Sequence, residues 1–149
     1  KSLCLELRAL LGDEYEILYK LHPTETPHLR EKYLDLLSKS GIKVIADGGD
    51  VLNYIIEAEH IVGVSSTVLF EAVLFNKKIH ILEHPLSKAY IPKEIGIRFS
   101  NATDLAKHII QPQICSDYNK ININYYWELN WEKNFKNFYK DYLLFYCGW

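Results

Sequence analysis

The sequence predicts an α/β protein whose parallel sheet is covered by helices on both faces. Short β-rich runs alternate with helical runs over residues 1–110, and this alternation is typical of parallel β-α-β units. The predicted strands are short and continuously apolar, which is the pattern of strands that are buried on both faces. Together the two observations favour a parallel sheet.

Composition and charge agree with a folded domain and argue against several classes of function. The chain has 149 residues, of which 48% are hydrophobic and 24% charged, so we expect one ordered domain. No apolar run reaches the roughly 18 residues of a membrane-spanning helix. The net charge of −2 argues against non-specific electrostatic binding of nucleic acid. It does not argue against a local basic pocket for a phosphate.

The cysteine and methionine counts bear on the compartment and on the extent of the chain. The three cysteines, Cys4, Cys115 and Cys147, have no metal-ligand spacing and predict reduced thiols in a cytoplasmic protein. The chain begins at Lys1, without a methionine anywhere and without a signal peptide. We therefore expect a piece of a longer protein.

Residues 1–46 predict two helices and two strands. Leucines at helical spacing predict a helix over residues 3–11, although alternate leucines in the same segment also fit a strand. Residues 16–21 and 42–46 predict strands. Between them, a Thr-Pro pair opens a helix over residues 26–41. The inward face of that helix is expected to carry Leu29, Tyr33, Leu36 and Leu37.

Three further strands and two connecting segments follow. Residues 60–64, 78–82 and 97–99 predict the strands, and residues 83–96 are expected to form a long loop. A glycine-rich segment, Asp47–Asp50, lacks the spacing of a dinucleotide-binding loop and is interpreted as a tight turn that ends in an N-cap.

Three more helices complete the alternation. The first, over residues 50–58, should turn Leu52, Ile55, Ile56 and Ala58 inward. The second opens at residues 65–67 and is apolar almost all round, so it should be buried. Asn76 then occupies a left-handed C-cap position. Asn101 should cap the third helix, which runs to Ile110.

The C-terminal part has a different pattern. Residues 112–126 are a polar connector, which separates a domain over residues 1–111 from a helix over residues 127–149. Large aromatic residues form one stripe on this helix, namely Trp127, Trp131, Phe135, Phe138, Tyr142, Phe145 and Trp149. We expect the stripe to dock on this domain or on another one, and the alternative is an interfacial membrane helix.

The first candidate site follows the first strand. The class of the domain is Rossmann-like, and in such sheets ligands lie beyond the carboxyl ends of the strands. His22 leaves the strand at that end, after Lys20, and Pro23 restricts the direction of the chain. The imidazole can bind a phosphate or act as a general acid, and the alternative is a structural histidine.

The second and third candidates follow later strands. Ser65, Ser66 and Thr67 offer hydroxyls and backbone N–H groups at a helix start, as an anion site does. Glu71 lies one helical turn further on the same face, within reach of a ribose. His84 also follows a strand and is a weaker candidate. Plain helix capping is the alternative for the hydroxyls.

These segments, in their order along the chain, resemble the C-terminal half of bacterial GT-B glycosyltransferases. The resemblance rests on the strand-end KLHP, the turn before Asp50 and the stretch VGVSSTVLFEAVLFNKKIHIL, and it covers about residues 1–110. It is to enzymes of capsule and lipopolysaccharide synthesis: polysialyltransferase-like proteins, lipooligosaccharide sialyltransferase-like proteins and CDP-glycerol glycerophosphotransferases. Asn76 stands where these enzymes usually carry glycine.

The resemblance implies roles for the candidate residues. His22 would contact the donor phosphate and assist the departing nucleotide, and Glu71 would hold the ribose. The nucleotide-binding set would be Lys20, His22, Pro23, Ser65, Ser66, Thr67, Glu71 and His84. Metal is not needed for the donor phosphates in these enzymes, so no cofactor is expected.

The resemblance also implies parts that lie outside this chain. One is an N-terminal domain that binds the acceptor and carries the general base. The other is a strand directly before Lys1, which would be central in a doubly wound sheet.

The expected function is therefore donor binding in a metal-independent transferase. The donor would be a CMP-, CDP- or UDP-linked sugar or alditol, and the acceptor a polysaccharide or glycolipid. We expect a cytoplasmic protein, with peripheral membrane association if the C-terminal helix is interfacial. A UDP-sugar epimerase-like domain and a non-catalytic Rossmann-like interaction module are the alternatives.

Overall fold

Helices and strands alternate along the part of the chain that the computed structural model describes, residues 2–22, 25–46 and 51–111. The first elements are α1 (Ser2–Leu11), a short 3-10 helix (Gly12–Glu14), β1 (Leu18–Lys20), α2 (Pro27–Ser38) and β2 (Lys43–Ile45). They are followed by α3 (Val51–Glu57), β3 (His60–Gly63), α4 (Val68–Leu74), β4 (Lys78–Leu82), α5 (Pro85–Tyr90), β5 (Ile97–Phe99) and α6 (Ala102–Ile110). The α/β class predicted from the sequence is thereby confirmed.

Within residues 2–22, 25–46 and 51–111 the strands form two parallel sheets, whereas one sheet is expected from the sequence. In the first sheet β1 pairs with β2, with Tyr19 beside Val44. In the second, β3, β4 and β5 pair in that order. All described pairs are parallel, which is compatible with a Rossmann-like fold.

Helices cover both faces of the three-stranded sheet. Successive side chains of a strand point to opposite faces, so the two faces can be told apart by the residues that pack on them. Ile79 and Ile81 of β4 point to one face and are packed with residues of α3 and α4. On the other face, Phe99 of β5 joins a second apolar cluster with residues of α1 and α6. The sheet is therefore the middle layer of three.

Two local predictions about helix ends are confirmed. Asn76 has a φ of +51°, in the left-handed region predicted for a residue that follows a helix. Asn101 Oδ1 accepts a hydrogen bond of 3.0 Å from the backbone N–H of Asp104, so it caps α6 as expected. Residues 3–11 are helical, so the strand alternative for that segment is wrong.

Other predictions need correction. The segment 83–96 is not only a loop, since it contains α5. The strand expected over residues 16–21 is shorter, because only Leu18–Lys20 pair with β2. Four side chains expected to point inward are exposed, namely Leu29, Leu36, Leu52 and Ile56. The buried residue of α2 is Leu37, and that of α3 is Ile55.

Two parts of the expected organisation lie outside the described residues. These are the turn at Asp47–Asp50 and everything after residue 111, including the aromatic helix. Among the helices that the structure describes, none is long and apolar enough to cross a membrane.

Candidate functional site

The carboxyl ends of β3 and β4 lie side by side. Gly63, the last residue of β3, is in register with Ile81 of β4, and neighbouring strands of a sheet are about 4.8 Å apart. Ser65 follows the first strand and His84 follows the second, so both emerge at the same edge of the sheet. Two of the predicted site segments therefore come together.

Three consecutive residues with hydroxyl groups follow the carboxyl end of β3. Ser65, Ser66 and Thr67 are all exposed. The Oγ of Ser66 accepts a hydrogen bond of 3.3 Å from the backbone N–H of Val68, so part of its role is to order the start of α4. The Thr67 side chain makes no capping hydrogen bond to the described helix.

Packing holds this segment in place. Leu69, Ala72 and Val73 are buried against the sheet, and a Cβ at Gly63 would lie only 2.9 Å from Cδ2 of Leu69. The Leu69 side chain occupies the space that a Cβ at Gly63 would take, so a larger residue there would make Leu69 shift. Glu71 is half-buried, and its backbone N–H donates to the carbonyl of Thr67 at 3.2 Å. Residue 71 thus lies one helical turn beyond Thr67.

His84 has a structural task in addition to any binding role. Its Nδ1 accepts a hydrogen bond of 3.2 Å from the backbone N–H of Leu86. In return, the backbone N–H of His84 donates to the Oγ of the buried Ser87 at 3.0 Å. The two bonds form a capping box for α5. The imidazole is exposed, and this hydrogen bond orients it after the carboxyl end of β4.

Lys20 and His22 belong to the other sheet. Lys20 is the last residue of β1, and His22 follows it as an exposed residue. The carbonyl of His22 accepts a hydrogen bond of 3.1 Å from the N–H of Glu25. Pro23 lies outside the described residues. Among the described strands, β1 does not pair with β3 or β4. The register of β3 and β4 therefore gives no position for His22 relative to Ser65 and His84.

A stack of histidines was not found by sequence reasoning. The ring of His80 lies 5.1 Å from that of His60 and 6.1 Å from that of His108, centroid to centroid. These residues are far apart in the sequence, and only the β3–β4 pairing and the position of α6 bring them together. No spacing in the chain could have signalled the stack.

Burial explains the electrostatics of this stack. His80 is 0% exposed, and burial, followed by the charges of His60, His108 and Lys78, lowers its pKa to about 3. Burial also lowers the pKa of His60, and the Lys78 ammonium adds to the effect. Within the described ranges, no group of three or more His, Cys, Asp or Glu residues is arranged to hold a metal ion.

The chain was compared with models of protein families, with curated proteins and with solved structures. None of the three comparisons gave a significant match.

Proposed function

We propose that this chain is the donor-binding domain of a GT-B glycosyltransferase, in which an acceptor hydroxyl displaces a nucleotide from an activated sugar or glycerol phosphate. The observation that carries the proposal is the exposed run Ser65–Thr67 at the carboxyl end of β3. It stands on a parallel sheet with helices on both faces. In such sheets, ligands bind at this edge.

The chemistry of the segment suits a nucleotide. Hydroxyl groups can donate to phosphate oxygens without the desolvation cost of a buried cation. Glu71, one turn further along α4, offers a carboxylate that can accept from both hydroxyls of a ribose. His84, which follows the neighbouring strand β4, adds an oriented imidazole. These residues would bind the donor without a metal ion.

His22 and Lys20 have a different role in this proposal. A protonated His22 would stabilise, or protonate, the leaving phosphate of the nucleotide. Lys20 would add positive charge at the same strand end. The acceptor, a cell-surface polysaccharide or glycolipid, would dock on a separate N-terminal domain that supplies the general base. The reaction would take place in the cytoplasm.

Calorimetric titration with CMP and with UDP tests the proposal. The double variant Ser65→Ala plus Ser66→Ala should weaken nucleotide binding by about 1–3 kcal/mol, the usual range for lost charge-assisted hydrogen bonds. Thermal unfolding should change little, since loss of one weak cap costs about 1 kcal/mol.

A second pair of serines provides the matched control. Ser38→Ala plus Ser40→Ala removes two hydroxyls at the end of α2, away from the proposed site, and should leave the affinity unchanged. If the chain binds neither nucleotide, the interaction-module alternative replaces the transferase. If the first double variant binds as tightly as the parent, the serines are plain caps.

A further inference from the structure

A buried serine holds the turn between β4 and α5. Ser87 is 0% exposed, and its Oγ accepts a hydrogen bond of 3.0 Å from the backbone N–H of His84. The hydroxyl of Ser87 also lies within hydrogen-bond distance of two carbonyls, that of Leu82 at 2.8 Å and that of His84 at 2.9 Å. Leu82 is the last residue of β4, so one buried side chain ties His84 to the end of the strand.

The C-terminal end of α5 is held as well. Arg98 of β5 donates to the carbonyls of Ile91, at 2.9 Å, and Pro92, at 3.0 Å, directly after the helix. The carbonyl of Ser87 accepts from the N–H of Ile91 at 3.0 Å. Because each end of α5 is bonded to a strand of the sheet, the helix and the residue before it have a fixed position.

The hydrogen bonds of His84 decide which ring nitrogen carries the proton. The backbone N–H of Leu86 can only donate, so Nδ1 of His84, 3.2 Å away, accepts through its lone pair and is unprotonated. A neutral imidazole carries one N–H group, which is therefore at Nε2. The charged ring has N–H groups at both nitrogens and could not accept from Leu86. The turn thus selects the neutral ring with its proton on Nε2.

One polar atom of His84 is left for a ligand. The backbone N–H is bonded to Ser87, the carbonyl accepts from the N–H of Lys88 at 3.0 Å, and Nδ1 is bonded to Leu86. Within residues 2–22, 25–46 and 51–111, no partner is found for Nε2. Since His84 is exposed, its Nε2–H group is an oriented donor that a ligand can reach.

The surroundings of this donor suit a phosphate oxygen. His84 follows β4 at the carboxyl edge of the sheet, where the exposed residues Ser65–Thr67 follow β3. Lys88, one helical turn further along α5, is also exposed and adds positive charge. A neutral N–H group loses less hydration than a cation does when it binds an anion. With six residues, α5 is short, so the binding group is the imidazole rather than the helix end.

We propose that Ser87 is a positioning residue that holds His84 as a neutral Nε2–H donor, and that this donor binds a phosphate oxygen of the ligand. The inference rests on the proposed function insofar as the ligand is a nucleotide. The form of the ring and its dependence on Ser87 are properties of the chain alone. His84 then differs from His22, whose proposed role requires a protonated ring.

NMR shifts of the imidazole nitrogens test the form of the ring. In the full chain at about pH 8, above the titration range of an ordinary imidazole, they should identify Nε2 of His84 as the protonated nitrogen. Ser87→Ala should give a mixture of both neutral forms, because the turn loses its central hydroxyl. Ser87→Thr keeps that hydroxyl and should restore the single form. Ser100→Ala is the control, since it removes an exposed hydroxyl directly after β5 and should change nothing.

Two replacements of the exposed His84 separate capping from ligand binding. Asparagine is a preferred N-cap residue, but it has no donor at the position of Nε2. Glutamine reaches that position with its amide and is not among the preferred caps. With CMP or UDP, His84→Asn should bind about tenfold more weakly than the parent, and His84→Gln should bind more tightly than His84→Asn. Thermal unfolding should rank the two variants in the opposite order, which a purely structural role would not produce.

Pyrophosphate separates this proposal from the proposed function. It has phosphate oxygens but neither base nor ribose, and it should shift the Nε2 resonance of His84. A shift with pyrophosphate, without binding of either nucleotide, would overturn the proposed function and leave the phosphate contact of His84 in place.

Four results would overturn the proposal itself. One is a proton on Nδ1 in the parent chain. Another is an unchanged ring form in a folded Ser87→Ala variant. The third is a His84→Asn variant that binds nucleotide as tightly as the parent, since His84 would then only cap α5. The last is an Nε2 resonance that responds neither to the nucleotides nor to pyrophosphate.

Discussion

The Nδ1 of His60 lies 2.8 Å from the Nε2 of His80, across the β3–β4 pair. At this distance the two nitrogens form a hydrogen bond, in which one ring donates its N–H and the other ring accepts. His80 is completely buried, and the ring of His108 from α6 stacks on it. A neutral His80 therefore occupies the junction between the sheet and α6, and its protonation would bring a charge into that junction.

Acidification should destabilise the fold through His80. The folded-state pKa is about 3, against 6.5 for the ordinary group, so between these values the unfolded chain takes up a proton that the folded chain does not. The stabilisation is complete above about pH 6.5. It falls by up to about 1.4 kcal/mol per pH unit as the pH drops toward 3. His80→Gln should remove this part of the pH dependence in denaturant unfolding.

His28→Gln is the control for this experiment. His28 is exposed on α2, and its replacement should leave the acid slope as in the parent chain. Equal slopes for the parent and for His80→Gln would show that the buried ring does not govern acid stability.

Gly96 is expected to be sensitive to any added side chain. Its φ is +66°, and a Cβ would lie 2.7 Å from the carbonyl oxygen of Ile79. Gly96→Ala should therefore cost about 2–4 kcal/mol of unfolding free energy, from backbone strain and overpacking together.

Gly41→Ala separates the two causes. Gly41 has a similar φ of +69°, but no described atom lies within 4 Å of the Cβ position. It should cost only about 1 kcal/mol, the strain alone. Equal losses for the two variants would contradict the close approach of Gly96 to β4.

His22 should matter for turnover more than for folding. It is exposed directly after β1, so His22→Ala should leave the melting temperature close to that of the parent. In the complete enzyme, loss of a general acid or of electrostatic help to the leaving phosphate should lower the transfer rate by about 10²–10⁴-fold. His22→Asn keeps a neutral donor and should recover part of the binding but little of the rate. An unfolded His22→Ala variant, or one with full activity, would make this histidine structural.

Much of the fold was predictable because it depends on local chemistry. The apolar run of α4 and the left-handed position of Asn76 follow from neighbouring residues. The helix α5 could also have been found, since His84 and Ser87 have the spacing of a capping box. It was missed because histidine is an unusual N-cap.

The rest depends on pairing between distant segments. The division into two sheets and the stacking of His60 on His80 are set by which strands are neighbours, and no local pattern encodes that choice. The proposed site has the same dependence. The segments that contain Ser65 and His84 emerge at the same end of the sheet only because β3 and β4 are adjacent. The candidate residues could be predicted from the sequence, but the adjacency of their strands could not.

The most direct test of donor binding is a backbone amide NMR titration of the full chain with UDP and with CMP. The proposal predicts that the largest shift changes with one of the two nucleotides fall on Ser65, Ser66, Thr67 and Val68. Smaller changes should occur at Glu71 and His84, and the amides of α2 should remain unchanged. Shift changes that are absent with both nucleotides, or that are centred on any other part of the fold, would contradict the assignment of a nucleotide site to the carboxyl end of β3.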